Sequence, residues 1–261
     1  MMRFAIFFAG LLAAACGLAQ QTSVLTVVST ATFTRDAALA PNMIVTAFST
    51  AIPEVGPATA TPLLTSLNGY SFGIRAGTGS LEINAGIIAI NAGQASFVLP
   101  AELPDGAASI AFRRGSDVLA TGSVRIARVA PGIFTANSSG EGAPAGFALY
   151  SGFGKQRQEN LFERFSGSAR FEPAALNVGN PEEDLYLVLF GTGFRRVSSP
   201  GAAIKIGGLD LPVLYAGPQG EFAGLDQINV RLPQLLAGRG TINVVLTVDG
   251  QTANTVTITI K

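Results

Sequence analysis

The residues of this chain that are equipped for chemistry gather in three places. The first is the loop AGPQGEFAGLDQ, residues 216–227, which carries Glu221 and Asp226 among glycines, with Gln219 at its tip and Tyr215 beside it. Two carboxylates and a set of backbone carbonyls are the raw material of a ligand or calcium loop. Calcium, however, takes about six to eight oxygens, and the regular spacing of an EF-hand is missing here. The structural alternative is a crossover in which Gly217, Gly220 and Gly224 supply unusual backbone angles, while Asp226 and Gln227 bond backbone groups left open where a strand begins.

The second place is PEED, residues 181–184, with three carboxylates just before LYLVLF. Joined by Asp210 or Asp249 it would make a cation site between domains, and otherwise it is a solvated turn. The third is FALYSGFGKQRQENLFERFSGSARF, residues 147–171, where Phe147, Tyr150, Phe153, Phe162, Phe165 and Phe171 interleave with Arg157, Arg164 and Arg170. An exposed row of Tyr150, Phe153 and Phe162 would suit a glycan or a protein partner. Burial of alternate aromatics as one face of a β-meander is the competing arrangement.

Other chemistries are excluded by residue type. The chain has no His and no Trp, so His-dependent triads, His-ligated zinc and imidazole bases are ruled out, and the aromatic platforms of a glycosidase are thin. Its lysines, Lys155, Lys205 and Lys261, stand in no Ser-x-x-Lys spacing, and SGFGKQR lacks the phosphate-cradling G-x-x-x-x-G-K-[ST] pattern. GTGFRR reads as a glycine turn with Arg195 and Arg196 in solvent. Basic and acidic residues balance at 17 each, and charged residues make up 13% of the chain against a usual share of about 25%. No basic cluster is present to neutralise a run of phosphates, so no nucleic-acid partner is expected. No cofactor, no metal and no enzymatic activity are expected either.

The elements that must carry these residues begin after an export segment. MMRFAIFFAGLLAAACGLAQQ has Arg3, an apolar run from Phe4 to Ala15 and then small residues, the layout of a secretory signal peptide too short to span a bilayer comfortably. Gly17 and Ala19 fit cleavage after Ala19, giving a signal peptide over residues 1–19. The rival reading takes AAAC as a lipoprotein box and makes Cys16, the single cysteine of the chain, a lipid anchor. A third reading keeps the segment as an uncleaved anchor. Cleavage or lipidation leads to the cell envelope or the exterior, with no membrane span in the mature chain and no disulfide.

From residue 23 onward, short segments rich in β-branched and aromatic residues alternate with Gly, Pro, Asn and Asp, which predicts β-sandwiches. Asp249-Gly250 between INVVLTV and the closing strand predicts a tight hairpin. Aligning Gln94 with Gln227, an offset of 133, lays QASFVLPAEL over QINVRLPQLL, and APNMIVTAFSTAI matches EDLYLVLFGTGF in pattern. Two copies of one unit follow: residues 24–130 and 147–261, joined by a turn-rich linker at 131–146. What differs between the copies is the loop YAGPQGEFAG, nearly absent from the first.

The phrases VAPGIFTANSSGEGAPA, LYLVLFGTGFRR and VLYAGPQGEFAGLDQINVRLPQLLAGRGTINVVLTVDGQTANTVTITIK resemble an uncharacterised C-terminal domain family of acidobacterial secreted proteins, first described from Solibacter and similar to the IPT/TIG immunoglobulin-like modules. The likeness covers residues 129–261. In the first half, Asn42 stands where that family's phrase commonly has Gly. The resemblance implies an all-β chain of two tandem immunoglobulin-like sandwiches, exported or surface-exposed, without assigned catalysis. The expected partner is an unknown protein or glycan at the cell surface.

Overall fold

A computed structural model describes residues 22–77, 81–164 and 171–261. The export segment with Cys16 lies outside the described residues, as do Phe165 and Arg170. The described chain is all-β, and its one helical element is the short turn Gln234–Leu236. Among the described residues no helix is long and apolar enough to cross a membrane.

In the first half, one sheet runs in the order Ser23–Val24, Asp117–Ile126, Gly106–Arg114, Tyr70–Ala76, Ile83–Asn84. Its partner sheet runs Thr26–Ser29, Ile44–Phe48, Gln94–Val98, Gly86–Asn91, Gly56–Pro57. Period-two alternation explains the packing. Along Gly106–Arg114, Ala108, Ile110 and Phe112 are buried while Ser109 is exposed. Phe72 and Phe112 from one sheet meet Phe97 from the other, with Phe72 centred 4.3 Å from Phe97 and 4.9 Å from Phe112. Truncating any of these buried rings to alanine costs about 3–5 kcal/mol.

In the second half, one sheet is ordered Lys155–Asn160, Gly146–Gly152, Asp184–Thr192, Asp226–Leu232, Val213–Pro218. The other is ordered Ala175–Leu176, Val256–Ile260, Gly240–Val248, Ala202–Ile206, Leu209–Leu211. Their shared core is mostly aliphatic: Leu187, Leu189, Ile228 and Val230 pack with Ile204, Val244, Leu246 and Ile258. A small ribbon of Phe162–Arg164 and Phe171–Pro173 stands apart from both.

The two halves repeat one another in register. Val45 pairs with Phe97 and Ala47 with Ala95. At an offset of 142 on one strand and 133 on the other, Leu187 pairs with Val230 and Leu189 with Ile228. The neighbouring strand carries the same irregularity in both copies, between Ile87 and Ala89 in the first and between Val213 and Tyr215 in the second. This bulge fixes the offset at 126 before the variable loop against 133 after it, so the second copy holds a seven-residue insertion there. A strand irregularity kept at one position is a designed feature, because it redirects the chain and pins the register.

Residues 131–146 are tied down on both sides. Gly132–Ile133 pairs with Asp184–Thr192. Asn254 accepts from the Ile133 N–H at 2.8 Å and donates to the carbonyls of Ile133 at 2.9 Å and Gly140 at 2.8 Å. Gly140 in turn lies against the backbone of Thr32 in the first half.

The halves meet end to end. The Ala130 N–H donates to the Gly193 carbonyl at 2.8 Å. Thr192, wholly buried, accepts from the Ile44 N–H at 2.9 Å and donates its hydroxyl to the Gly224 carbonyl at 2.7 Å. Gly224 has φ +80°, and a methyl group there would sit 2.5 Å from Ile44 Cγ1, so only glycine fits. Arg196 reaches the Ala101 carbonyl, and Arg128 donates to the Arg196 carbonyl at 3.1 Å.

Candidate functional site

The inserted loop holds itself together locally. Gln219 accepts the N–H groups of Glu221 and Phe222 at 3.0 and 3.2 Å, and its own N–H donates to the Leu225 carbonyl at 2.9 Å. Tyr215 donates its hydroxyl to the Pro218 carbonyl at 2.5 Å while its ring stays 40% exposed. Glu221 points to solvent, and Phe222 is 66% exposed.

Asp226 does not share that surface. It is 0% exposed and accepts from the N–H groups of Phe194 at 2.8 Å and Arg195 at 3.1 Å, and from Arg195 Nε at 2.8 Å. Burial pushes its carboxyl above the ordinary range, against the pull of the Arg195 guanidinium and the two N–H groups. The carboxylate therefore serves the turn at the end of Asp184–Thr192 and is closed to an outside cation. Arg195, expected in solvent, is instead largely buried and also donates to the Leu225 carbonyl at 3.0 Å.

The expected aromatic row is split by strand alternation. Tyr150 is 2% exposed and points into the core. Its hydroxyl accepts the Asn177 N–H at 3.1 Å, and Arg157 lies 3.6 Å over its ring. Burial raises its pKa. Phe153 sits in a hairpin turn at φ 51° and is 73% exposed. Phe162 packs edge-on against Phe171 at 5.5 Å in the separate ribbon. These three side chains do not form one surface.

A different surface does form, on the solvent side of the sheet that contains Asp184–Thr192. Since Leu185, Leu187 and Leu189 face the core, Tyr186, Val188 and Phe190 lie on the opposite face, where Tyr186 and Phe190 are half-buried and Val188, between its partners Phe147 and Asn229, is only 4% exposed. Phe147 and Leu149 join them from the neighbouring strand, paired with Val188 and Tyr186, and Phe147 meets Phe190 edge-on at 6.0 Å. An apolar strip thus occupies a face that alternation usually makes polar. Amides flank it on both sides: Asn160 and Gln158 pair with Phe147 and Leu149, while Asn229 and Gln227 pair with Val188 and Phe190. The Gln227 amide donates to Asn229 at 2.8 Å. Tyr215, displaced by the bulge, pairs with Asn229 and extends the face. The surface is hard to read from sequence because its members come from five separate strands, although every second residue of LYLVLF and QINVRL signals it.

Glu183, Asp184, Asp210 and Asp249, which a cation site would combine, are each held by a different partner. Glu183 is bonded to Arg157 at 3.1 Å, which lowers its pKa. Asp184 pairs with Arg231, and Lys205 with Asp210 at 2.6 Å. Asp249 accepts from the Ser198 hydroxyl and N–H, and these bonds hold its carboxyl below the ordinary range. A cleft of about 880 Å³ between the halves is lined by hydroxyls and amides, including Thr32, Gln251 and Asn254, with Glu141 its one acidic lining residue. No group of three potential metal-ligating side chains occurs among the described residues.

No family model matches the chain, and comparison with curated proteins finds no match.

Proposed function

We propose that the protein is an exported, non-enzymatic structural and interaction module of the cell surface or extracellular space, built from two tandem immunoglobulin-like β-sandwiches. The observation that carries this reading is the repeated strand order, bulge included, closed by a junction in which Thr192 bridges Ile44 and Gly224. Such a joint holds two surfaces at a fixed spacing, which serves presentation of a binding face. The ion-paired carboxylates support the same reading, since Asp226 and Asp184 are committed to Arg195 and Arg231. The apolar run at Phe4–Ala15 supports export.

The test is to express the full chain in a bacterial host, fractionate the cells, and measure the mature N-terminus by mass spectrometry and co-sedimentation with isolated cell-surface material. The expected result is an exported chain that begins at Gln20 and sediments with that material. An acylated start at Cys16 would attach the same module to a membrane face. A chain retained in the cytoplasm with its first residues intact refutes the reading.

A further inference from the structure

The geometry points to the open face of the Asp184–Thr192 sheet as a binding surface for an uncharged polysaccharide chain, an inference that rests on the interaction-module reading and names its ligand. One register row crosses all five strands: Asn160, Phe147, Val188, Asn229 and Tyr215. With strands about 4.8 Å apart, that row is roughly 19 Å long. Its centre is apolar, with the half-buried Phe147 ring beside Val188, which at 4% exposure forms the floor of the row, and an amide stands on each side.

Sugar rings match this arrangement. Their C–H faces rest on aromatic and aliphatic side chains, and their hydroxyls, being both donors and acceptors, are served by Asn and Gln, which offer both functions on one side chain. The parallel row, Gln158, Leu149, Tyr186 and Arg231, repeats the apolar centre. Its one cation, Arg231, is already neutralised by Asp184. The face therefore presents no uncompensated charge for an acidic or basic polymer to seek. The Tyr215 ring, fixed by its bond to the Pro218 carbonyl and left 40% exposed, closes the far end of the track. The first copy offers no such ring, because its matching residue is Ala89.

The experiment measures retention of the full mature chain on insoluble cellulose and chitin, and its migration in gels containing soluble xylan or starch. At least one of these is expected to bind. Asn160→Ala and Tyr215→Ala, both at exposed positions that leave the core intact, should each weaken that binding about tenfold, and Phe147→Ser more so. Phe153→Ala, exposed but off this face, should bind as the wild type does. Failure of every polysaccharide, or equal binding by wild type and face variants, overturns the inference. So does a concentration-dependent dimer abolished by Phe147→Ser, which would assign the face to a second copy. If the wild type sediments with cell-surface material yet no polysaccharide retains it, the sugar face falls while the interaction-module reading stands.

Discussion

Removing the Asp226 carboxylate should be among the most damaging single changes in the second half. Asp226→Ala strands the N–H groups of Phe194 and Arg195 and takes away the partner of a guanidinium whose side chain is only 18% exposed. A buried donor left without a partner costs about 1–3 kcal/mol, and breaking a buried pair by deleting one member costs about 3–5 kcal/mol. Arg195 keeps the Leu225 carbonyl, so the low end applies, about 3 kcal/mol. For a domain of this size that lowers the melting temperature by about 10 °C. Urea unfolding of Asp226→Ala, Arg195→Ala and the double variant reads the effect directly. The double variant should lose about 1–3 kcal/mol less than the sum of the singles. The pH dependence follows from burial. The folded carboxyl is raised above the ordinary 3.8, so its neutral form adds stability below that value, and the contribution is lost as pH rises through the folded pKa. Without Arg195 the charged form has less support, so Arg195→Ala should be least damaging near pH 4 and more so at pH 7. Strict additivity, or a loss below about 1 kcal/mol for Asp226→Ala, would refute this account.

Thr192→Val should remove the acceptor of the Ile44 N–H and the donor to Gly224, costing about 2 kcal/mol and speeding hydrogen exchange at Ile44 while the Phe72–Phe97–Phe112 core stays protected. Asn254→Ala deletes three bonds to Ile133 and Gly140; limited proteolysis should then cut near Ser138, where the wild type resists. Asp249→Asn should flatten the acid limb of the stability profile. The native carboxyl is held below 3.8 by Ser198, so its contribution is present above that value and lost as pH falls through the lower folded pKa; chemical denaturation between pH 5 and pH 2 reads it.

Much of the fold was legible where period-two alternation was strong. The repeat at QASFVLP and QINVRLP reappears as matched registers, and Asp249-Gly250 makes its hairpin with φ of 46° and 79°. Asn42, standing in place of Gly, adopts φ 60°, a conformation asparagine tolerates. Two of the longer strands escaped the pattern. Tyr70–Ala76, central to the first core, is interrupted by Gly73 and Arg75, and Lys155–Asn160 is polar throughout because it is an exposed edge. SVLTVVS reads as one strand but is two, since the chain passes between sheets at Leu25. At the candidate site, turn chemistry marked Asp226 and Gln227 as partners for backbone groups where their own strand begins; Asp226 instead caps the turn at Phe194 and Arg195, about 30 residues away in sequence, and Gln227 bonds the Asn229 side chain, pairings that required the fold. Tyr150 and Phe147 lie three residues apart and face opposite ways because a strand, unlike a helix, separates them.

The repeat is also asymmetric at the joint between its copies. A head-to-tail contact between like units extends indefinitely if every unit offers both mating surfaces. Here Gly224 in the seven-residue insertion is the plug, and Ile44 with Val98 is the socket. The first copy has the socket without the plug, because its loop is cut to Ala92-Gly93. The second has the plug without the socket, because Tyr186 and the ion-paired Arg231 stand where Ile44 and Val98 would be. Of the two sides of this contact, the first half therefore presents only the one that receives and the second only the one that inserts.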